Sequence, residues 1–172
     1  NMNYLEYKQS VLDAVNEDSF EFLKATTKTD IRAGLLTRKQ IEKLRETLYD
    51  GFDKNMTIRE IEQALARRID FKNRLRMNKG KIVVKDGEPV VSLSKDYRPN
   101  MIARTETIRL SREGAKLNYA ENGWDKVRWV AAMSERTCEI CEALNGQIYD
   151  LDNTPENPHP DCRCAIIPVV KS

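Results

Sequence analysis

Four cysteines and the only histidine of the chain lie between positions 138 and 164, and none of either type precedes them. They read Cys138-x-x-Cys141, then seventeen residues, then His159-x-x-Cys162-x-Cys164. Thiolates and imidazole are the ligands a tetrahedral Zn²⁺ prefers, and closed zinc sites commonly join two ligand pairs, each close in sequence, by a loop. The first pair fits a knuckle, a tight turn that aims two sulfurs at one point. Residues two apart on an extended strand share a side, so Cys162 and Cys164 can face one ion together. Five candidates compete for four positions. Four thiolates are the favoured set, with His159 just outside or as an alternate ligand, and three cysteines with His159 follow closely. Two disulfides or free thiols are the competing readings. A framework of disulfides usually spreads cysteines along a small secreted chain rather than gathering them at one end. A catalytic zinc would require an open position and a general base. Glu135, Glu139 and Glu142 are near in sequence, but no H-x-E pattern of the zinc deaminases accompanies them.

The chain around this cluster has 172 residues, enough for one medium domain or two small ones. It carries 29 Lys and Arg against 27 Asp and Glu, a net charge of +2. That balance argues against a nucleic-acid coat protein held by charge alone. Mean hydropathy is -0.63, which suits a soluble protein. No apolar run reaches membrane-spanning length, and the opening NMNYLEYKQS lacks the pattern of a secretion signal. The glycines form neither a Walker-type nor a dinucleotide-type loop, and the sole histidine, inside the ligand cluster, leaves no persuasive Ser-His-Asp triad.

The elements that must position the cluster read as α+β. An irregular amphipathic helix is expected over about 3–25, with a turn at 26–30. Thr37…Gln40 and Thr57…Glu60 are capping-box patterns. They open helices with apolar stripes Ile41, Leu44, Leu48 and Ile58, Ile61, Leu65, Ile69. Residues 81–93 flank Asp86-Gly87, a strong turn signal, and read as a β-hairpin arm that Pro89 keeps at an edge. A long connecting helix is expected from about 100 to 121, stopped by Asn122-Gly123. Strands follow at KVRWVAAM (126–133), QIYDL (147–151) and CRCAIIPVV (162–170), with a loop at 152–160. The domain reading is 1–94, helix-rich with the hairpin, and 95–172, carrying the cluster. So small a β-module buries little apolar surface, and a structural ion would supply the missing stability. Arg128, Arg136 and Arg163 are the cations expected to offset its thiolates.

On the long helix Ala103, Glu106, Leu110, Gly114 and Leu117 share one stripe, which places a carboxylate on an apolar face. A buried carboxylate requires a partner. Arg136 is the expected one, forming with Arg104 and Glu106 a structural clamp between helix and metal module; the alternative is that Glu106 sits at the edge of the stripe and reaches water. Trp124 and Trp129 are read as core or interface anchors. Arg67, Arg68, Lys72, Arg74, Arg76, Lys79 and Lys81 form a basic run that is either solvated or in weak contact with DNA phosphates. The run has no aromatic residue after Phe71 on which bases would stack.

Taken together, Arg104-Thr105-Glu106 on a helix, Trp129 on a strand, Glu135-Arg136-Thr137-Cys138-x-x-Cys141, Leu144-x-Gly146 and His159-Pro160-x-Cys162-Arg163-Cys164 resemble the phage Mu protein F type of head-morphogenesis protein. The likeness covers about residues 95–170; residues 1–94 match only as a helix-rich lead-in. It implies a minor capsid protein, few in copy number and associated with the portal protein and other capsid proteins. Such a protein acts in head assembly and in DNA packaging or delivery, in the host cytoplasm first and then in the virion. It implies no enzyme. Longer members carry toxin-like enzymatic domains, and this chain leaves no segment of that size. Ser134 departs from the acidic residue expected before R-T-C. The alternative functions are a nucleic-acid-binding zinc module and a metal-dependent hydrolase or toxin fragment.

Overall fold

A computed structural model describes Glu6, Gln9, residues 36–156 and residues 158–170. The helix expected over 3–25 and the turn at 26–30 therefore lie outside the described residues, apart from the helical Glu6 and Gln9. The chain divides into two compact units that meet within one long helix, at residues 103 and 104.

In the first unit, α1 (Arg38–Asp53) and α2 (Ile58–Arg68) both begin with complete capping boxes. Thr37 and Thr57 accept the amides of Gln40 and Glu60, whose side chains accept the threonine amides in return. These bonds satisfy amides that the first turn leaves without partners. The expected stripes bury Leu44, Leu48, Ile61 and Leu65 between the helices. Gly51 makes the close approach possible, because a Cβ there would sit 2.7 Å from Ile61 Cγ1.

The Asp86-Gly87 turn forms as expected, with β4 (Val84–Lys85) antiparallel to β5 (Glu88–Pro89). The arm is more elaborate than one hairpin. β2 (Met77–Asn78) pairs with β3 (Lys81–Ile82) around Lys79-Gly80, and β1 (Arg74–Leu75) pairs with β6 (Val91–Leu93). The three ladders meet in a ring of backbone bonds. Arg76 donates to Val90, Val90 to Val83, and Val83 to Arg76. Backbone pairing organises this segment, since no side chain from 74 to 93 is fully buried.

α3 spans Arg98–Glu121. It ends at Gly123 (φ 73°), where Gly123 N–H donates to Ala120 and Trp124 N–H to Tyr119. That pair of bonds is a Schellman cap, which a glycine in the left-handed region permits.

The second unit packs α3 from Arg104 onward with an antiparallel sheet in the order β8-β7-β9. These strands are β7 (Lys126–Val130), β8 (Ile148–Asp150) and β9 (Ala165–Pro168). Alternation along β7 turns Val127 and Trp129 inward, where they form a core with Ala131, Leu151, Ile166 and three of the cysteines. The fold class is α+β, as the sequence implied. All three strands are shorter than expected, and Cys162 and Cys164 lie just before β9 rather than on it. Their alternation survives: both are buried, and Arg163 between them is exposed.

Candidate metal centre

The knuckle is built on a short helix, α4 (Glu139–Leu144), with Cys138 as its N-cap. The Cys138 sulfur accepts the Cys141 amide at 3.4 Å. That amide holds the Cys138 thiol below its ordinary range, the main cause of the shift. One turn on, Cys141 points into the core and is buried.

The returning loop brings His159 directly to the knuckle. Its Nε2 lies 3.1 Å from Cys138 Sγ and 2.9 Å from Cys141 Sγ. Cys162 Sγ is 3.9 Å from Cys141 Sγ. Among the described residues, two trios of ligand atoms lie within 4.8 Å of one another: Cys138, Cys141 and His159, and Cys141, Cys162 and Cys164. Cys141 belongs to both, so the two trios adjoin and between them take in all five expected candidates. Sulfurs bound to a single zinc at about 2.3 Å are separated by roughly 3.8 Å in tetrahedral geometry, close to the 3.9 Å between Cys141 and Cys162. The cluster could hold one metal ion.

His159 is closer to the centre than the sequence reading placed it. Its Nδ1 is 2.6 Å from the Pro160 carbonyl oxygen. A carbonyl only accepts, so Nδ1 carries the hydrogen and a neutral ring leaves Nε2 with a free lone pair. Nε2 is the atom that faces the sulfurs, and a fixed tautomer of this kind is how ligating histidines are oriented.

Burial raises the thiols of Cys141 and Cys162 above their ordinary values, against smaller lowerings of Cys162 by the Cys164 backbone amide and then by Arg112. A soft dication would reverse this by replacing the protons.

The cation beside the thiols is none of the three expected. Arg128, Arg136 and Arg163 are exposed. Arg112 of α3 instead sits buried with Nη1 3.9 Å from Cys162 Sγ and its guanidinium 5.0 Å over the Trp129 ring. Thr105, Arg112 and Tyr119 recur every seven residues, about two helical turns, and so share one face. Thr105 accepts the Asp161 amide at 3.0 Å, and Tyr119 donates to the Ile166 carbonyl at 3.2 Å. This half-polar face is the one that meets the β-module. The apolar stripe carrying Glu106 points the other way around the helix. That geometry corrects the expected clamp. Glu106 is buried as foreseen, but it pairs with Arg109 at 3.0 Å on its own helix, and Arg136 is exposed. Burial raises the Glu106 carboxyl above its ordinary value despite Arg109. Arg104 does reach the module, with Nε 3.8 Å from the Asp161 carboxylate. Arg112 was missed because a lone arginine opposite an apolar stripe reads as solvated. The seven-residue spacing was the signal that could have exposed it.

Comparison with known proteins places these features in a wider context. The family model described as phage Mu protein F like protein matches residues 42–167, reaching well into the helical half that had seemed only a lead-in. An uncharacterized protein of Haemophilus influenzae is 32% identical over 80 residues. The aligned stretch covers 44% of this chain and 18% of that protein, so this chain corresponds to a minor part of its relative. No solved structure matches.

Proposed function

The chain belongs to the phage Mu protein F-like family, and on that premise we propose that it is a phage or prophage minor head protein of the portal vertex. In this reading it acts through protein contacts in capsid assembly and in DNA packaging or delivery, and it is not an enzyme. It works in the host cytoplasm during assembly and then in the virion. The observation that carries this reading is the family match across both compact units, with the ligand cluster inside the matched span.

The cofactor is a structural zinc held by four of Cys138, Cys141, His159, Cys162 and Cys164. Two features favour a structural over a catalytic ion. Three candidate ligands belong to the apolar core of their unit. Glu135, Glu139 and Glu142, the acids around the knuckle, are exposed, and the Asp161 carboxylate faces Arg104. In such a site the ion contributes folding energy, which raises the stability of the small module.

Exposed aliphatic side chains support a role in protein contact. Met77, Ile82, Val84 and Val91 are exposed on the arm of the first unit, and Met133 and Ile140 flank the knuckle of the second. Apolar side chains on a surface gain from a protein partner and little from phosphates. A second reading, weak DNA contact, rests on the basic run. Within that run Arg68 is engaged by Glu46 and Asp50, which reduces its availability. No helix among the described residues is long and apolar enough to cross a membrane.

Co-expression with the portal and capsid subunits of a phage that encodes this chain tests the proposal. The expected result is co-purification with assembled heads, lost on Ile82→Asp with Val84→Asp. Heads that form normally while excluding the wild-type chain would overturn it. Filter binding at two salt concentrations separates the DNA reading, since phosphate contacts weaken steeply with salt.

A further inference from the structure

The loop from His159 to Cys162 supplies two candidate ligands yet belongs to no strand ladder. Its conformation is demanding. Asp161 has φ 61°, in the left-handed region that side-chain-bearing residues rarely occupy, although Asp tolerates it better than most. Something outside the loop must hold it there. The structure supplies that hold from α3, a 24-residue helix. Thr105 Oγ1 accepts the Asp161 amide at 3.0 Å, and Arg104 Nε stands 3.8 Å from the Asp161 carboxylate. Thr105 is buried, and a β-branched side chain has few rotamers to lose. Inside the loop, the bond between His159 Nδ1 and the Pro160 carbonyl adds a second restraint.

We propose that Arg104 and Thr105 are positioning residues. Together they latch Asp161, so that His159 Nε2 and Cys162 Sγ already face the Cys138-Cys141 knuckle before a thiophilic divalent cation arrives. The inference rests on the metal reading above and assigns work to residues that touch no ligand atom. It also joins two sequence elements more than fifty positions apart, Arg104-Thr105 and the loop His159–Cys162. The first holds the amide that lies between the two ligands of the second. Without the latch, ion binding would have to order the loop as well as coordinate, and affinity would fall.

Titration of the reduced, metal-stripped full chain with Co²⁺ tests this, read by thiolate-to-cobalt charge-transfer absorption and the visible bands of tetrahedral cobalt. Thr105→Val keeps the shape and removes the acceptor. It is expected to weaken cobalt binding about 10- to 100-fold, the usual effect of losing a partner that orients a ligand. Thr105→Ser restores the acceptor and should bind close to wild type. A merely structural role would lower the unfolding temperature of the metal-free chain and leave affinity and spectrum of the folded protein unchanged. Should Thr105→Val fail to fold, Arg104→Gln, which leaves the hydroxyl in place, is expected to weaken binding in the same direction by a smaller factor. Wild-type affinity in both Thr105→Val and Arg104→Gln would overturn the latch. A wild-type chain that bound no cobalt would overturn the metal reading itself, and the latch with it.

Discussion

Replacing Arg112 with methionine removes a buried cation beside the ligand cluster, and its effect on metal affinity can be worked from the geometry. The guanidinium lies 3.9 Å from Cys162 Sγ and stacks on Trp129. Burial raises the thiols of Cys141 and Cys162, so in the metal-free protein these groups favour their neutral form. Zinc expels the protons. Three thiolates with one dication leave a net charge of -1, and four leave -2. A unit charge near 4 Å from Arg112 interacts by about 4 kcal/mol at the effective dielectric of partly buried pairs. The new charge is spread over sulfurs more distant than Cys162, so roughly half of this, ~2 kcal/mol, is a reasonable expectation. That corresponds to about 30-fold weaker zinc binding. Competition against a chromophoric chelator measures it, with Arg112→Lys, which keeps the charge and loses the planar stack, expected between the two. Loss of the cation–π contact, about 2 kcal/mol when desolvated, should appear separately as a lower unfolding temperature of the metal-free chain. If Arg112→Met unfolds earlier yet binds zinc as tightly as wild type, the electrostatic reasoning is refuted.

Two further outcomes follow from packing and burial. Gly51→Ala drives a methyl against Ile61 Cγ1 at 2.7 Å; overpacking of about 1–3 kcal/mol should exceed the roughly 1 kcal/mol gained in helix propensity, so thermal unfolding should come earlier, and a more stable variant would contradict the close approach of α1 and α2. Because the folded Glu106 carboxyl titrates above its ordinary value, the folded state binds the extra proton first. Its burial penalty is absent below the unfolded pKa and grows as pH rises through the folded one. The stability of wild type relative to Glu106→Gln should therefore fall as pH rises through that window, and parallel melting-temperature profiles for the two proteins would refute this.

Sequence and structure agree where the determinants are local. Thr37 and Thr57 cap their helices through bonds to residues three positions away, and Asn122-Gly123 stops α3 with a backbone state that glycine permits. Such signals need no knowledge of tertiary contacts. The ligand cluster was legible for a similar reason, since its residue types have few other reasons to gather. The arm was read only in part. Asp86-Gly87 announced one turn, but the ring joining residues 76, 83 and 90 is made of backbone atoms and leaves no side-chain pattern. The clamp failed for a different reason. Hydrophobic periodicity located the apolar face of α3, and that face was taken to meet the β-module. The face that meets it carries Thr105 and Arg112, polar residues whose value depends on Asp161 and Cys162, remote in sequence. Burial of polar groups that find specific partners is the pattern that a hydropathy stripe hides.

Organisation of the second unit by a cation is tested most directly by elemental analysis of the chain purified under reducing conditions. Equimolar zinc is expected in the wild-type protein, together with its loss in Cys141→Ser, the residue common to both ligand trios. Metal-free protein that melts at the same temperature whether or not zinc is supplied would contradict it.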